Sequence, residues 1–192
     1  AIGLDEDDEV IRVKLTDGNQ DIIIGTCKGM AIRFKESDVR SMGRTARGVR
    51  GIRLGKDDFV VGVSIALDDA ELLVVTQNGY GKKTQLSEYK VQTRGGRGVF
   101  TYRLTETTGN VAGIKAVTDC DDIMLITDAG VIIRLKTKDI STYSRVTKGV
   151  RLMRLDEGVK IVSLARAEET EEEDIDGECD PLVADDNKEE LE

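Results

Sequence analysis

The sequence predicts an all-β protein of propeller-like blades, each a sheet of four short antiparallel strands. Three observations support this fold class. One unit recurs three times along the 192 residues, spaced by 50 and then 51 positions. Each unit opens with a run of Ile, Val and Leu, and β-branched residues favour strands over helices. A glycine follows each run at a position typical of a tight turn between two strands.

Every repeat can be divided into four strands. The first strands are expected at Asp21–Thr26, Glu71–Thr76 and Ile123–Thr127, and in the second repeat the turn is Asn78-Gly79, a strong hairpin signal. A second strand and a polar loop follow. The third strand ends with an arginine between two apolar residues, so alternation places that arginine on the solvent face. The fourth strands are expected at Val60–Ala66, Val111–Val117 and Lys160–Ala165.

A unit of this size cannot bury both faces of its sheet, so neighbouring units are expected to stack as blades. Residues 10–15 match the fourth strand of a repeat whose earlier strands are missing, and three and a fraction blades cannot close a ring, so the chain is interpreted as part of a larger domain or as an open arc. The predicted organisation is an acidic leader at 1–9, the last strand of a preceding blade at 10–20, blade repeats at 21–70, 71–122 and 123–167, and an acidic, disordered tail at 168–192.

Charge is distributed unevenly along the chain, which has a formal net charge of −9. Residues 168–192 hold 14 acidic residues and one basic residue, whereas residues 10–167 hold 27 basic and 18 acidic residues, a net of +9. A basic body between acidic ends indicates a polyanionic partner.

Several classes of function are excluded by composition. The sequence has no histidine, which removes Ser-His-Asp and Cys-His catalysis and most metal-based constellations. Its three cysteines show no C-x-x-C spacing, no apolar run approaches the roughly 18 residues of a membrane helix, and the acidic start resembles no signal peptide. We therefore predict a cytoplasmic protein without a catalytic site, a metal site or a membrane partner.

Four positions carry a basic residue in every repeat, and stacking would turn each position into an arc of positive charge able to follow curved duplex DNA. The four columns are Arg33, Lys83 and Arg134; Arg44, Arg94 and Arg145; Arg47, Arg97 and Lys148; and Arg53, Arg103 and Arg154. Arginine outnumbers lysine here, which suits bidentate phosphate contacts. The alternative is that these residues are edge-strand charges that prevent aggregation.

The loop Gln92-Thr93-Arg94-Gly95-Gly96-Arg97-Gly98 places two arginines among three glycines. Glycines allow close approach of the backbone to a phosphate, and successive N–H groups can form an anion-binding nest. The loop lacks the spacing of a nucleotide-binding loop and precedes a strand. A glycine-rich turn that only joins two strands is an equally open interpretation.

This loop resembles the Q-[RK]-R-G-G-[RK]-G box found in the C-terminal domain of the A subunit of DNA gyrase, with Thr93 in place of a basic residue. Degenerate versions stand at residues 43–48 and 144–149, and the stretches 73–82 and 149–155 are also similar to that family. The resemblance covers about residues 10–167. It implies a β-pinwheel, a propeller-like fold in which blades exchange strands.

The resemblance also implies a function. In that family the domain wraps duplex DNA around its rim and presents it for ATP-dependent negative supercoiling by the whole enzyme. Arg94 and Arg97 would contact phosphates, while Gln92, Gly95, Gly96 and Gly98 would shape the loop. The implied partners are the remaining parts of the gyrase A2B2 heterotetramer, which is built from two kinds of subunit. ATP and Mg²⁺ belong to other parts of that enzyme, so no cofactor is expected here.

Two alternatives remain open. The corresponding C-terminal domain of topoisomerase IV shares the blades but usually lacks a clear box. A protein-binding propeller, of the kelch or chromosome-condensation-regulator kind, has repeats of similar length. Under the DNA-binding hypothesis the acidic tail could occupy the basic rim, so deletion of residues 168–192 is expected to strengthen DNA binding.

Overall fold

The computed structural model describes residues 2–6, 8–67 and 69–167, and this part of the chain contains eleven β-strands and no α-helix. The expectation of a disordered tail at residues 168–192 lies outside the described residues. Among the helices of the described part, which are single 3-10 turns, none has the length and apolar character needed to cross a membrane.

Strand bounds follow the repeat closely. The first repeat contains β1 (Asp21–Thr26), β2 (Met30–Lys35) and β3 (Val60–Ala66); the second contains β4 (Glu71–Thr76), β5 (Tyr80–Gln85), β6 (Val99–Phe100) and β7 (Val111–Val117); the third contains β8 (Asp122–Thr127), β9 (Ile132–Lys136), β10 (Val150–Arg151) and β11 (Ile161–Ala167). Gly29, Gly79 and Gly130 have φ of 78°, 81° and 79° at the hairpin turns of the three repeats. These glycines supply the left-handed conformation that side chains with a Cβ rarely adopt.

The sheets do not coincide with the repeats, because outer strands are exchanged between them. The three antiparallel sheets have the orders β3-β1-β2-β6, β10-β5-β4-β7 and β11-β8-β9. In the first sheet Ala31 of β2 pairs with Val99 of the second repeat, and in the second sheet Gly81 of β5 pairs with Val150 of the third repeat. The predicted all-β, strand-exchanging β-pinwheel is therefore confirmed.

Some predicted strands are shorter than expected or do not form. The exchanged strands β6 and β10 have two residues each, and residues 49–54 form no strand. Val10–Leu15 also form no strand, and Val13 and Leu15 are 81% and 95% exposed. Among the described residues, no strand forms a backbone ladder with this segment. The prediction of a strand at this position is therefore wrong for this structure.

The core lies between the stacked sheets, and β4 shows how the stacking works. Leu72 and Val74 pack into a cluster with side chains of the first sheet, whereas Leu73 and Val75 pack into a second cluster with side chains of the third sheet. All four residues are fully buried. A strand that buries both faces needs a neighbour on each side, so the predicted stacking of repeats is what closes the core.

Candidate nucleic-acid interface

The four basic columns differ in their surroundings: most side chains of the first two form ion pairs or hydrogen bonds within the fold, and those of the last two are exposed. In the first column, each basic side chain pairs with the acidic residue at or next to the start of the first strand of its repeat. Arg33 Nη2 lies 2.8 Å from Asp21 Oδ2, and Arg134 Nε lies 2.6 Å from Asp122 Oδ2. Arg33 also donates a 3.0 Å hydrogen bond from Nη1 to the Leu86 carbonyl.

Lys83 is the most buried member of the first column, with a side chain only 4% exposed. Its Nζ lies 2.9 Å from Glu71 Oε2 and contacts Asp119 Oδ1 as well. Burial lowers the pKa of Lys83, but the two carboxylates outweigh burial, so the pKa is raised. Charges compensated in this way are not available to phosphates. Lys83 and Arg33 are thus largely occupied by ion pairs within the fold, whereas the Arg134 side chain is 44% exposed beside its ion pair. That this column contacts DNA stays a prediction.

In the second column, Arg94 and Arg145 reach back to the preceding repeat. Arg94 donates hydrogen bonds of 3.0 Å to the Asp38 carbonyl and 3.3 Å to the Arg50 carbonyl. Arg145 donates a 3.0 Å hydrogen bond to the carbonyl of Phe100, which is the repeat equivalent of Arg50. These two arginines tie consecutive repeats together, and their contact with phosphates stays a prediction. Arg44 is exposed and makes no side-chain hydrogen bond or ion pair within the described residues.

The glycine-rich loop forms the joint between the first two repeats. Gly98 has φ of 75°, and a Cβ at this position would overlap the Ala31 carbonyl of β2. Gly149 repeats this close approach, with φ of 63° and the Gly81 carbonyl at the equivalent place. The Gly95 amide donates a 2.6 Å hydrogen bond to the Gly51 carbonyl, so it does not take part in an anion-binding nest.

Gln92 and Gly96 contribute to the same joint. The Gln92 amide donates a 2.8 Å hydrogen bond to the Arg33 carbonyl, and a Cβ at Gly96 would lie 3.5 Å from Ile32 Cδ1. The glycines of the loop therefore serve strand exchange, as the interpretation of a connecting turn predicts. Arg97, by contrast, is exposed.

The third and fourth columns meet at the boundaries between repeats. The Arg53 amide donates a 2.7 Å hydrogen bond to the carbonyl of Gly96, the neighbour of Arg97. The Arg103 amide donates a 3.1 Å hydrogen bond to the carbonyl of Thr147, the neighbour of Lys148. We call Arg53 with Arg97, and Arg103 with Lys148, the seam pairs.

All four side chains of the seam pairs are exposed, and none forms an ion pair or hydrogen bond with another described residue. Arg103 and Lys148 also line one shallow cleft together with Thr105 and Val146. The same geometry at two successive boundaries produces an array of cations repeated along one edge of the stack. Arg154 of the fourth column is likewise exposed.

The boundary between residues 3–5 and the first repeat has the same backbone geometry but no seam pair. The Gly3 amide donates a 3.5 Å hydrogen bond to the Ala46 carbonyl, and Gly3 occupies the place that Arg53 and Arg103 have at the other boundaries. Arg47, the equivalent of Arg97, forms a 2.8 Å ion pair with Asp5. The basic array is therefore strong at two boundaries and weakened at this one.

Lys82 is a structural residue that the sequence reasoning missed. It is fully buried, and its Nζ donates 2.5 Å hydrogen bonds to the carbonyls of Ser144 and Arg145 and lies 5.3 Å from the ring centroid of Tyr102. Burial lowers its pKa to about 8. The equivalent residues of the other repeats are Ile32 and Ile133. A lysine at a position that is otherwise apolar was the one sequence feature that could have indicated a buried role for Lys82.

Two of the four tyrosines also belong to the boundaries between repeats. Tyr89 and Tyr102 are each 1% exposed; their hydroxyls contact Thr101 Oγ1 and the Lys148 carbonyl respectively. Burial raises the pKa of Tyr89 to about 12 and raises that of Tyr102 further. Both hydroxyls therefore stay protonated and serve as hydrogen-bonding groups of the core.

Strand-exchanging repeats with exposed cations at their boundaries define a propeller-like protein with a basic edge. A family model described as DNA gyrase C-terminal domain, beta-propeller, matches residues 20–66, 70–118 and 121–168. These matches cover most of the chain. The chain belongs to the DNA gyrase C-terminal domain family.

Curated relatives and solved structures agree with this assignment. The chain is 49% identical over 174 residues to the DNA gyrase A subunit of Staphylococcus epidermidis and 47% identical over 180 residues to that of Staphylococcus aureus strain MRSA252, covering 90% and 93% of this chain but 20% of each relative. The chain thus spans about a fifth of the length of these relatives.

Two solved structures have closely similar folds. A C-terminal domain of DNA topoisomerase IV matches with a TM-score of 0.82 and 33% identity, covering 87% of this chain and 52% of that chain. A DNA gyrase A C-terminal domain matches with a TM-score of 0.80 and 28% identity, covering 86% of this chain and 56% of that chain.

Proposed function

We propose that this chain is the DNA-binding and DNA-wrapping module of a DNA gyrase A subunit. The observation that carries the proposal is the repetition of the seam pairs, Arg53 with Arg97 and Arg103 with Lys148, at two successive boundaries of stacked sheets. Cations without carboxylate partners at regular intervals suit a polyanion with a regular backbone, and duplex DNA has one negative charge per roughly 1.7 Å of helix axis.

The chemistry of these side chains favours binding to the DNA backbone. Arginine offers planar, bidentate donors to phosphate oxygens, and contacts of this type position the duplex without reading its sequence. Bending a site of 20–30 base pairs by 40–90° costs on the order of 1–6 kcal/mol, which many phosphate contacts must offset. Substitutions at single seam residues should therefore weaken binding in steps.

The whole enzyme supplies the rest of the activity in this proposal. The remaining domains of the gyrase A2B2 heterotetramer would hold and cleave the DNA, and ATP and Mg²⁺ would bind in those parts. The chain itself would be a non-catalytic module in the cytoplasm. Its contribution to negative supercoiling would be the curved path that it imposes on the DNA.

A module of topoisomerase IV is the second candidate, because a topoisomerase IV domain matches this fold with a TM-score of 0.82. The resemblance to the gyrase domain implies wrapping of DNA, so a change in DNA topology is the feature that separates the two candidates. A topology shift of relaxed circular DNA, produced by stoichiometric binding of this chain, would support the gyrase role. DNA binding without a topology shift would favour the second candidate.

The experiment that tests DNA binding is a salt titration of affinity for a duplex. We expect log K to fall linearly with log[salt], at about −0.9 per phosphate neutralised. Replacing the four residues of the seam pairs with alanine should reduce this slope by about 3 to 4. A slope near zero for the unmodified chain would refute DNA binding through this surface.

The matched control changes the same number of exposed charges away from the seam pairs. Replacement of Lys28, Lys35, Lys56 and Lys138 with alanine removes four exposed lysines. This control should keep most of the slope. Equal losses of slope in the two variants would show that general charge, and not the seam pairs, determines binding.

A further inference from the structure

A fifth position of the repeats lies midway between the third and fourth basic columns, and it is occupied by Arg50, Phe100 and Arg151. With those columns it places a side chain at every third residue along the basic edge, and all of these side chains are exposed. We call the following nine residues the edge track: Arg47, Arg50, Arg53, Arg97, Phe100, Arg103, Lys148, Arg151 and Arg154. Eight of the nine are basic, and the central one is an aromatic ring.

Strand exchange holds the ring of Phe100 on the outside of the first sheet. Phe100 is 60% exposed, whereas Val99, its neighbour on β6, packs against the core, so the two side chains lie on opposite faces of the strand. Phe100 is paired with Met30 of β2, and side chains directly opposite each other share a face. At the equivalent place in the second sheet Arg151 is paired with Tyr80. The backbone therefore presents an apolar pair where the next sheet presents a cation and a ring.

Cations stand on both sides of Phe100. Arg97 precedes it by three residues and Arg103 follows it by three residues, so the Cα atom of each lies within about 11 Å of the Cα atom of Phe100. Arg97 belongs to one seam pair and Arg103 to the other. Arg145 also donates a 3.0 Å hydrogen bond to the Phe100 carbonyl. The ring consequently lies between the two seam pairs.

The position of the ring suits a groove of duplex DNA. Arg97 and Arg103 are at most about 22 Å apart along the chain, and the major groove is about 12 Å wide. Cations bound to the two strands that border this groove would place the ring of Phe100 over the groove. The C5 methyl group of thymine is exposed there, and phenylalanine is one of the side chains that contact it.

Other occupants fit this place less well. A phosphate against the ring would lose its water without gaining a cation, which is unfavourable. An apolar protein surface would cover the ring but would also bury Arg97 and Arg103 without anions. Duplex DNA offers phosphates and an apolar groove edge side by side, so it complements both the cations and the ring.

We propose that Phe100 contacts thymine methyl groups in the major groove and gives the basic edge a preference for thymine at one point of the bound duplex. This inference rests on the proposed function, because it assumes that the seam pairs hold DNA. Arg50 and Arg151 occupy the same position in the other repeats, and they would add cationic contacts. The preference would therefore arise from the second repeat alone.

A comparison of thymine with uracil tests the contact. Two duplexes of one sequence, one with thymine and one with uracil throughout, differ only in the C5 methyl groups. We expect the unmodified chain to bind the thymine duplex about two- to fourfold more tightly, as burial of one methyl group predicts. In Phe100→Arg, which has the residue type of the other repeats, the two duplexes should bind equally. The matched control Phe59→Ala removes a phenylalanine that is 57% exposed and lies outside the edge track, and it should keep the preference.

Equal affinities of the unmodified chain for the two duplexes would overturn the proposal, as would a preference that persists in Phe100→Arg. Circular dichroism would confirm that each variant is folded. If both duplexes bind equally but with the expected salt dependence, the proposed function stands and only the contact of Phe100 fails. Absence of DNA binding would refute both.

Photo-cross-linking gives a second, direct test. In a duplex with 5-iodouracil at the thymine positions, iodine replaces the methyl group, and irradiation joins the base to an aromatic side chain in contact with it. We expect mass spectrometry to find the cross-link at Phe100. Cross-links at Phe59 or Tyr143, which are also exposed, without one at Phe100 would contradict the proposal.

Discussion

The amide of Arg53 donates a 2.7 Å hydrogen bond to the carbonyl of Gly96, which sets Arg53 beside Arg97 across the boundary between two repeats. The same relationship links Arg103 with Thr147 at the next boundary, where Lys148 is the neighbour. Because the backbone fixes both positions, the spacing of the exposed charges follows from the packing of the repeats. The internal ion pairs and the exposed cations consequently have separable effects on stability and on binding.

Arg94 and Arg97 of the same loop should behave differently. Arg94→Ala removes two hydrogen bonds to carbonyls of the preceding repeat, and we expect a loss of stability of about 1–3 kcal/mol. Arg97→Ala should leave stability within about 0.5 kcal/mol and reduce the salt dependence of DNA binding by about one phosphate contact. Urea denaturation and a salt titration measure the two effects. Equal effects of both substitutions on the salt slope would contradict the division of roles.

Lys83→Met should destabilise the protein because it leaves the carboxylates of Glu71 and Asp119 without their cation. The Lys83 side chain is 4% exposed, and breaking a buried pair costs about 3–5 kcal/mol; the greater exposure of Asp119 points to the lower end. Adding Glu71→Gln to this variant should recover part of the loss in a double-mutant cycle measured by urea denaturation. If Lys83→Met instead reduced the salt slope of DNA binding in a stable chain, Lys83 would belong to the DNA-binding surface after all.

Gly98→Ala should lower the stability of the protein by straining the contact between the first two repeats. The new Cβ would overlap the Ala31 carbonyl at a residue with φ of 75°, and such strain costs about 1–3 kcal/mol or more. Gly43→Ala is the matched control, since an added Cβ there meets nothing within 4 Å. Thermal unfolding should show a lowered Tm for Gly98→Ala only. Similar Tm values for the two variants would show that the close approach at Gly98 is readily relaxed.

Lys82 should give the stability of the protein a distinctive pH dependence. Its pKa is about 8 in the folded chain and 10.5 when unfolded, so between these values the unfolded state binds more protons and stability rises with pH. The contribution is up to about 3 kcal/mol over this range. In Lys82→Met this rise should be absent, and the difference between the two chains, followed by urea denaturation at pH 8 to 10, isolates it. Parallel pH profiles would show that Lys82 keeps an ordinary pKa.

The sequence was sufficient to predict the repeat, the hairpins and, through the resemblance of its glycine-rich loop, the exchange of strands. These features depend on local chemistry, such as a glycine at positive φ or alternating apolar residues. Arg53, Arg103 and Arg154 are exposed as expected, but they lie outside the strands, so strand alternation does not account for their exposure.

The sequence could not distinguish the internal cations from the exposed ones. Arg33 and Arg53 each stand between two apolar residues, so the local pattern is the same for both. Only the pairing of β1 with β2 brings Asp21 to Arg33, and this is a tertiary relationship. Lys82 was missed for a related reason, since the carbonyls that receive its hydrogen bonds lie more than 60 positions away.

Strand exchange also determines where this chain can be divided. A cut at the end of the second repeat would remove Val150–Arg151, and with it the outer strand of the second sheet. Gly81 and Tyr80 would then present unpaired backbone groups along an open edge, which invites pairing with another molecule. Stable shortened versions should therefore keep the first part of the following repeat, and a repeat expressed by itself should self-associate.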